Sequence, residues 1–228
     1  WGIVKQSTEK LKDEGRKDPE AHPESRPAIA EEEAISKAIL FSKRADVPLH
    51  IYHLSSEDGL NVIKENKDCN IDLTSEVCVH HLLFNKEDME DLGPYIKANP
   101  PIRSKKDQES LWKGVKNGII DMISTDHWPL PKSNKEKGWE NIWEAGAGVP
   151  GLETRIPLIL TFGVEENRIS IKKFVELISE NPARRLGLYP KKGALAVGSD
   201  ADITVVNLDD TMEIKAEEMF SKCDQTPY

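Results

Sequence analysis

The stretch PLHIYHLSSED, residues 48–58, decides how the rest of the chain is read. Pro48 to Leu54 is a short, mostly apolar and β-rich run, and the Ser55-Ser56-Glu57-Asp58 that follows suits the start of a helix reaching about Asn66. One strand therefore leads into one helix. Upstream, Pro27 fits a first helical turn, Glu31 to Glu33 suit its positive end, and Ile35, Ala38, Ile39 and Ser42 keep helical spacing to about Ala45. Downstream the alternation repeats: a strand over Ile71 to Val77, the helical NKEDMEDL (85–92), a helix over Lys105 to Asn117 and a strand over Ile119 to Ser124. Strands alternating with helices of this length predict βα units and a parallel sheet, an α/β fold.

Two further helices are expected at Leu152 to Phe162 and Ile171 to Leu186, the second broken in two by Asn181-Pro182. After Gly187 the texture changes: in KKGALAVGSDADITVVNLDD (191–210), Gly193 and Gly198 punctuate short β-rich runs, which predicts a small β-sheet region. Residues 1–26 are polar and charged, consistent with a short surface helix and a loop in which His22 is solvent-exposed.

Of the 228 residues 40 are acidic and 31 basic, a net charge of −9 spread along the chain, so no basic face for nucleic acid is expected. The longest apolar runs, such as Ile156 to Phe162, fall far short of the roughly 20 residues of a membrane span, and no signal segment opens the chain. No membrane partner and a cytoplasmic location follow as expectations. Three cysteines without a CxxC pair indicate neither a disulfide framework nor a thiolate zinc site, and AGAGVPG (145–151) lacks the spacing of a phosphate loop.

In barrels of parallel strands, chemistry gathers at the carboxyl ends of the strands. His53 ends the first predicted strand, His80-His81 follow the second, and Asp126-His127 follow the third. Imidazole and carboxylate at separate strand ends are ligand types for a catalytic zinc, although each residue equally suits a cap or a core position. Within each adjacent pair only one residue is expected to look into a barrel, because neighbours on a strand face opposite ways. His50 is read as structural, and Glu153 with Arg155 as an internal ion pair.

SRPAIAEEEAISKAI (25–39) with PLHIYHLSS (48–56), SEVCVHHLLFNKEDM (75–89) with KANPPIR (97–103), and NGIIDMISTDHWPLP (117–131) resemble successive segments of the cyclic amidohydrolases, the group of dihydropyrimidinases, hydantoinases, dihydroorotases and allantoinases. GVPGLETRIPLIL (148–160) and RISIKKFVELISENPARRLGLYPKKGALAVGSDADI (168–203) are most similar to hydantoinases and dihydropyrimidinases. The resemblance implies the C-terminal part of a TIM-like (β/α)8 metal-dependent hydrolase barrel, about strands six to eight over residues 1–187, followed by a β-sandwich segment over 188–228.

It further implies that His53 and Asp126 bind metal, that Asp126 also carries the catalytic proton, and that Asn99 and Ala147 meet the substrate. His127, Arg103 and His80 are then supporting or loop-forming residues. The implied cofactor is zinc, as a pair of ions, and the implied partners are a small cyclic amide or ureide and further copies of the chain in a dimer or tetramer. The family's His-x-His, carboxylated lysine and fifth-strand histidine have no counterpart here and are expected upstream of Trp1, so the 228 residues alone are expected to be inactive.

The implied reaction is hydrolysis of a C–N bond in a dihydropyrimidine or hydantoin-type ring, with dihydroorotase or allantoinase activity as the alternative. Leu130, where dihydroorotases carry a second histidine, departs from that alternative, and Ala147 and Trp128 depart from the hydantoinase pattern. A non-catalytic dihydropyrimidinase-like scaffold is a further alternative, against which His53 and Asp126 stand in their motifs. A deaminase of another branch is disfavoured by PPIR and GLETR.

Overall fold

A computed structural model describes residues 2–228. Its centre is a parallel sheet of three strands in the order β1 (Leu49–Ile51), β2 (Leu73–Cys78), β3 (Met122–Ser124). Leu49 pairs with Leu73 at the start of the first ladder, and Cys78 with Ser124 at the end of the second. The helix Glu57–Asn66 connects β1 to β2, started by the Ser56 side chain, which accepts from the Gly59 N–H at 3.0 Å. The helix Lys105–Lys116 leads into β3 and starts at Ser104, whose hydroxyl and the Asp107 carboxylate form a reciprocal capping box. The helix Ala28–Ala45 precedes β1 and closes on Asp46 in the left-handed conformation.

Alternation along the strands gives the sheet two unlike faces. Ile51, Leu73, Val77 and Ile123 pack with Ile35, Ile39, Leu60, Ile63, Leu111, Val115, Phe174 and Leu177 in one apolar cluster between sheet and helices. The opposite face carries His50, Thr74, Glu76, Cys78 and Ser124. Polar groups on a half-buried face need partners of their own, and this is the face on which chemistry can occur.

Several expectations are corrected. The helix Ile171–Val175 is not broken at Asn181-Pro182. It passes through a wider π-helical turn, Glu176–Glu180, into Asn181–Arg185, and the residues at both junctions stay right-handed helical. The wider turn accommodates the missing Pro182 N–H within a continuous helix. Residues 188–228 form no strand, so the expected β-sandwich segment is not built by these residues as they stand. Extended runs such as Ile203 to Val206 hold a ladder only beside a partner strand, and none of the described residues offers one. His22 is buried, not exposed: it sits in the short helix Ala21–Glu24, and its Nε2 donates to the Ala98 carbonyl at 2.9 Å. Burial lowers its pKa to about 3.

Among the described residues no helix is long and apolar enough to cross a membrane.

Candidate active site

His53 lies two residues past the last ladder residue of β1, and Asp126 two past that of β3. Both therefore stand at the carboxyl edge of the sheet with β2 between them, a backbone separation of about 10 Å at ordinary strand spacing. Both are held in the left-handed backbone region, at φ 41° and 42°. Among the described residues two other non-glycine residues share that conformation, Asp46 and Asn167, and each closes a helical segment, where a left-handed residue is common. No helix end explains His53 or Asp126. The conformation costs a residue with a β-carbon about 1–2 kcal/mol, and such strain gathers at functional positions. His53 is half-buried with its Nδ1 out of solvent and without a partner among the described residues, whereas Asp126 is exposed.

Behind this edge runs a hydrogen-bonded row across all three strands. His50 Nδ1 lies 2.9 Å from the Thr74 hydroxyl and its Nε2 3.3 Å from the Glu76 carboxylate, which also accepts from Ser124 at 2.8 Å. Burial raises the Glu76 pKa, but the bonds from His50 and Ser124 outweigh it and leave the carboxyl below its ordinary value. His50 is thus structural, as its place inside the strand suggested. The expected Glu153–Arg155 ion pair is replaced by separate contacts: Arg155 donates to the Ile123 carbonyl at 3.1 Å, and Glu153 accepts from the Phe220 and Ser221 N–H groups at 2.9 Å each.

His80 and His81 do not divide between two faces, because they sit in the helix Val79–Leu83 and not on a strand. Both are buried, with ring centroids 4.4 Å apart. Burial lowers the pKa of His81 to about 3 and that of His80 well below its usual value, and the charge of His53 acts on both in the same direction. Burial pushes the Cys78 thiol up, and the charges of Asp126 and Glu76 add to it.

His127 turns away from its neighbour Asp126. Its Nδ1 accepts from the Gly151 and Leu152 N–H groups at 3.0 and 3.1 Å, so it pins the loop that carries GVPG. Arg103 donates from Nε to Ser55 at 2.8 Å and from Nη1 to the Arg26 carbonyl at 2.9 Å, with the Glu31 carboxylate 3.6 Å from Nη2. It ties the KANPPIR turn to the chain just past His53. Asn99 is exposed at the start of that turn, and Ala147 is half-buried beside Gly148, against which the exposed Trp128 packs.

Sequence reasoning missed what joins these loops. Lys97 is buried and donates to the Ile142 and Ala145 carbonyls, while its own carbonyl accepts from the Gly148 N–H at 2.8 Å and from Lys135 Nζ at 3.3 Å. Lys135 is fully buried and also donates to the Gly146 carbonyl at 3.2 Å. The segment before Asn99 is thereby locked to the segment around Ala147. Burial, with Arg26 and Lys12 adding, lowers the Lys97 pKa to about 8, and burial with Lys97 adding lowers that of Lys135 to about 7. Lys97 between Ile96 and Ala98 was a faint signal; KSNKEK around Lys135 gave none.

The profile of the amidohydrolase family matches residues 3–228. The chain belongs to the amidohydrolase family. It is 38% identical over 226 residues to an L-hydantoinase of Paenarthrobacter aurescens, covering 99% of this chain and 49% of that protein. It is 36% identical over 208 residues to an allantoinase of Bacillus licheniformis, covering 91% and 45%. The solved L-hydantoinase (dihydropyrimidinase) from Arthrobacter aurescens superposes with a TM-score of 0.92 at 38% identity, over 95% of this chain and 48% of that one. The α/β arrangement is thus the amidohydrolase barrel fold in part, and the chain spans about half the length of the relatives it matches.

Proposed function

We propose that this amidohydrolase chain contributes His53 and Asp126 to a metal-dependent site that hydrolyses a cyclic amide or ureide, of the dihydropyrimidine, hydantoin or allantoin type. The observation that carries the reading is the pairing of unexplained left-handed backbone with metal-ligand chemistry at both strand ends, His53 also having a buried nitrogen without a partner. Neutral imidazole and carboxylate fit a borderline divalent ion, and zinc is the ion we propose. When bound, such an ion supplies a deprotonated water at neutral pH.

The residues of this chain have separable tasks. His53 and Asp126 hold the ion. The Asp126 carboxylate, exposed to the site, takes the proton of the attacking water and returns it to the ring nitrogen as the C–N bond breaks. A single group acting in both directions suits a reversible ring opening. His127 and the Lys97–Lys135 pair hold the loops bearing Asn99 and Ala147, which we place against the ring. Assembly into a dimer or tetramer is part of the same proposal. The relatives named hydantoinase and allantoinase support the substrate class.

The test uses the protein encoded by the whole reading frame, stripped of metal and reloaded with zinc, against dihydrouracil, hydantoin, allantoin and dihydroorotate. Zinc-dependent opening of one ring is expected, and dihydroorotate should be the poorest because Leu130 offers no charge to an anionic ring. Failure of all four rings with zinc present would remove the proposal.

A further inference from the structure

We infer that Cys78, His80 and His81 form a second metal-binding site for a zinc-class ion, at the end of β2 between His53 and Asp126 and sharing no ligand with them. The ligand atoms of these three residues all lie within 4.8 Å of one another. They meet at one junction, where β2 ends at Cys78 and the helix Val79–Leu83 begins, so a strand end and a helical turn bring three donors together.

Two features distinguish this cluster from ordinary packing. The Nε2 of His81 lies 3.1 Å from the Pro100 carbonyl, which can only accept, so Nε2 carries the proton and Nδ1 is left with a lone pair. That is the arrangement in which a backbone carbonyl orients a metal-ligating histidine. The Nδ1 atoms of both His80 and His81 are buried without a partner among the described residues, and the two side chains are 2% and 3% exposed. Buried polar atoms are nearly always paired, and each orphan costs about 1–3 kcal/mol. An ion between them would satisfy both at once.

The donors select the ion. One sulfur with two imidazoles prefers zinc, cobalt or copper over magnesium or calcium. Binding breaks the Cys78 S–H bond, releases that proton to solvent and forms a metal–thiolate bond. With metal–ligand bonds of about 2.0–2.3 Å, the edges of a tetrahedral site are about 3.5 Å, so donors within 4.8 Å of one another draw together by up to about 1.3 Å. Rotation about the side-chain bonds of one strand-end residue and one short helix supplies that movement. Three protein ligands leave a fourth position for water.

The site stands independently of the proposed ring hydrolysis, since neither His53 nor Asp126 is among its ligands. The experiment strips the protein of the whole reading frame with a chelator and titrates it with cobalt(II), reading the thiolate-to-cobalt charge-transfer absorption in the near ultraviolet. Saturating cobalt should produce the band, and zinc should abolish it by displacement. Cys78→Ser should remove the band, and His81→Gln should weaken cobalt binding by roughly tenfold or more. His53→Ala and Asp126→Ala should leave the band unchanged. Circular dichroism checks that each variant folds, and Cys78→Ala carries the same reading if the serine variant does not. Absence of the band in the unmodified protein, its survival in the folded Cys78 variant, or its loss in Asp126→Ala would overturn the inference. Loss of ring opening with the band intact would sink the hydrolase proposal alone.

Discussion

The carboxyl edge of the sheet and the buried lysine pair handle polar groups in opposite ways. Lys97 and Lys135 place two ammonium groups in the interior, yet each donates to backbone carbonyls, and the result joins two loops. At the edge, His53 carries a buried nitrogen without a partner among the described residues, and both it and Asp126 bear backbone strain that no helix end accounts for. One region has its polar groups paired, and the other holds a polar atom without a partner among the described residues. Burial alone does not separate them, since the His53 Nδ1 and Lys135 are both hidden. The state of the hydrogen-bonding groups does.

If that contrast holds, removing a lysine damages stability and removing an edge residue does not. Lys135→Ala leaves a large cavity and unpairs the Gly146 carbonyl, and should cost about 2–4 kcal/mol by urea unfolding. A loss below about 1 kcal/mol would mean that the lysine's burial was already as costly as its bonds were favourable.

The acid side of the contrast rests on His22. Its pKa is lowered to about 3 in the fold against about 6.5 when unfolded, so between those values the unfolded chain binds more protons. Its contribution to stability is complete above about pH 6.5 and falls with pH, by about 1.4 kcal/mol per pH unit, until about pH 3. Replacing it by asparagine should flatten that part of the stability profile. Lys135 reports the alkaline side with the same sign: its lowered pKa, about 7, means that the unfolded chain binds more protons from there to about pH 10.5. Stability should therefore climb with pH across that window, and Lys135→Met should remove part of the climb.

The smallest effect is the most particular to the edge. Asp126→Gly removes the β-carbon that opposes φ 42°, and after the extra freedom of the unfolded glycine it should gain about 0.5 kcal/mol while losing the carboxylate. A clear loss of stability would show that Asp126 is a structural residue.

The βα alternation was legible because it is local: Ser56 and Ser104 cap helices through their own neighbours, and Ile35, Ile39, Leu60 and Ile63 reveal apolar stripes at helical spacing. The segment after Gly187 was not, because Ile203 to Val206 propose a strand only where another lies beside them, and Val197, Val205 and Phe220 stand almost fully exposed. His22 was misread for the same reason: its partner, the Ala98 carbonyl, is 76 residues away. His53 and Asp126 could be chosen from strand-end position and motif, but their left-handed backbones have no signature in the letters. The lysine lock was barely legible, through Lys97 between Ile96 and Ala98 alone, because lysine ordinarily marks a surface.

The decisive measurement is the ring-opening rate of Asp126→Asn in the zinc-loaded protein of the whole reading frame, beside the unmodified protein at equal metal content. The account predicts a fall in kcat of about 10²–10⁴-fold at that equal metal content, because the amide cannot carry the proton. A variant that opens the ring at the unmodified rate would contradict it.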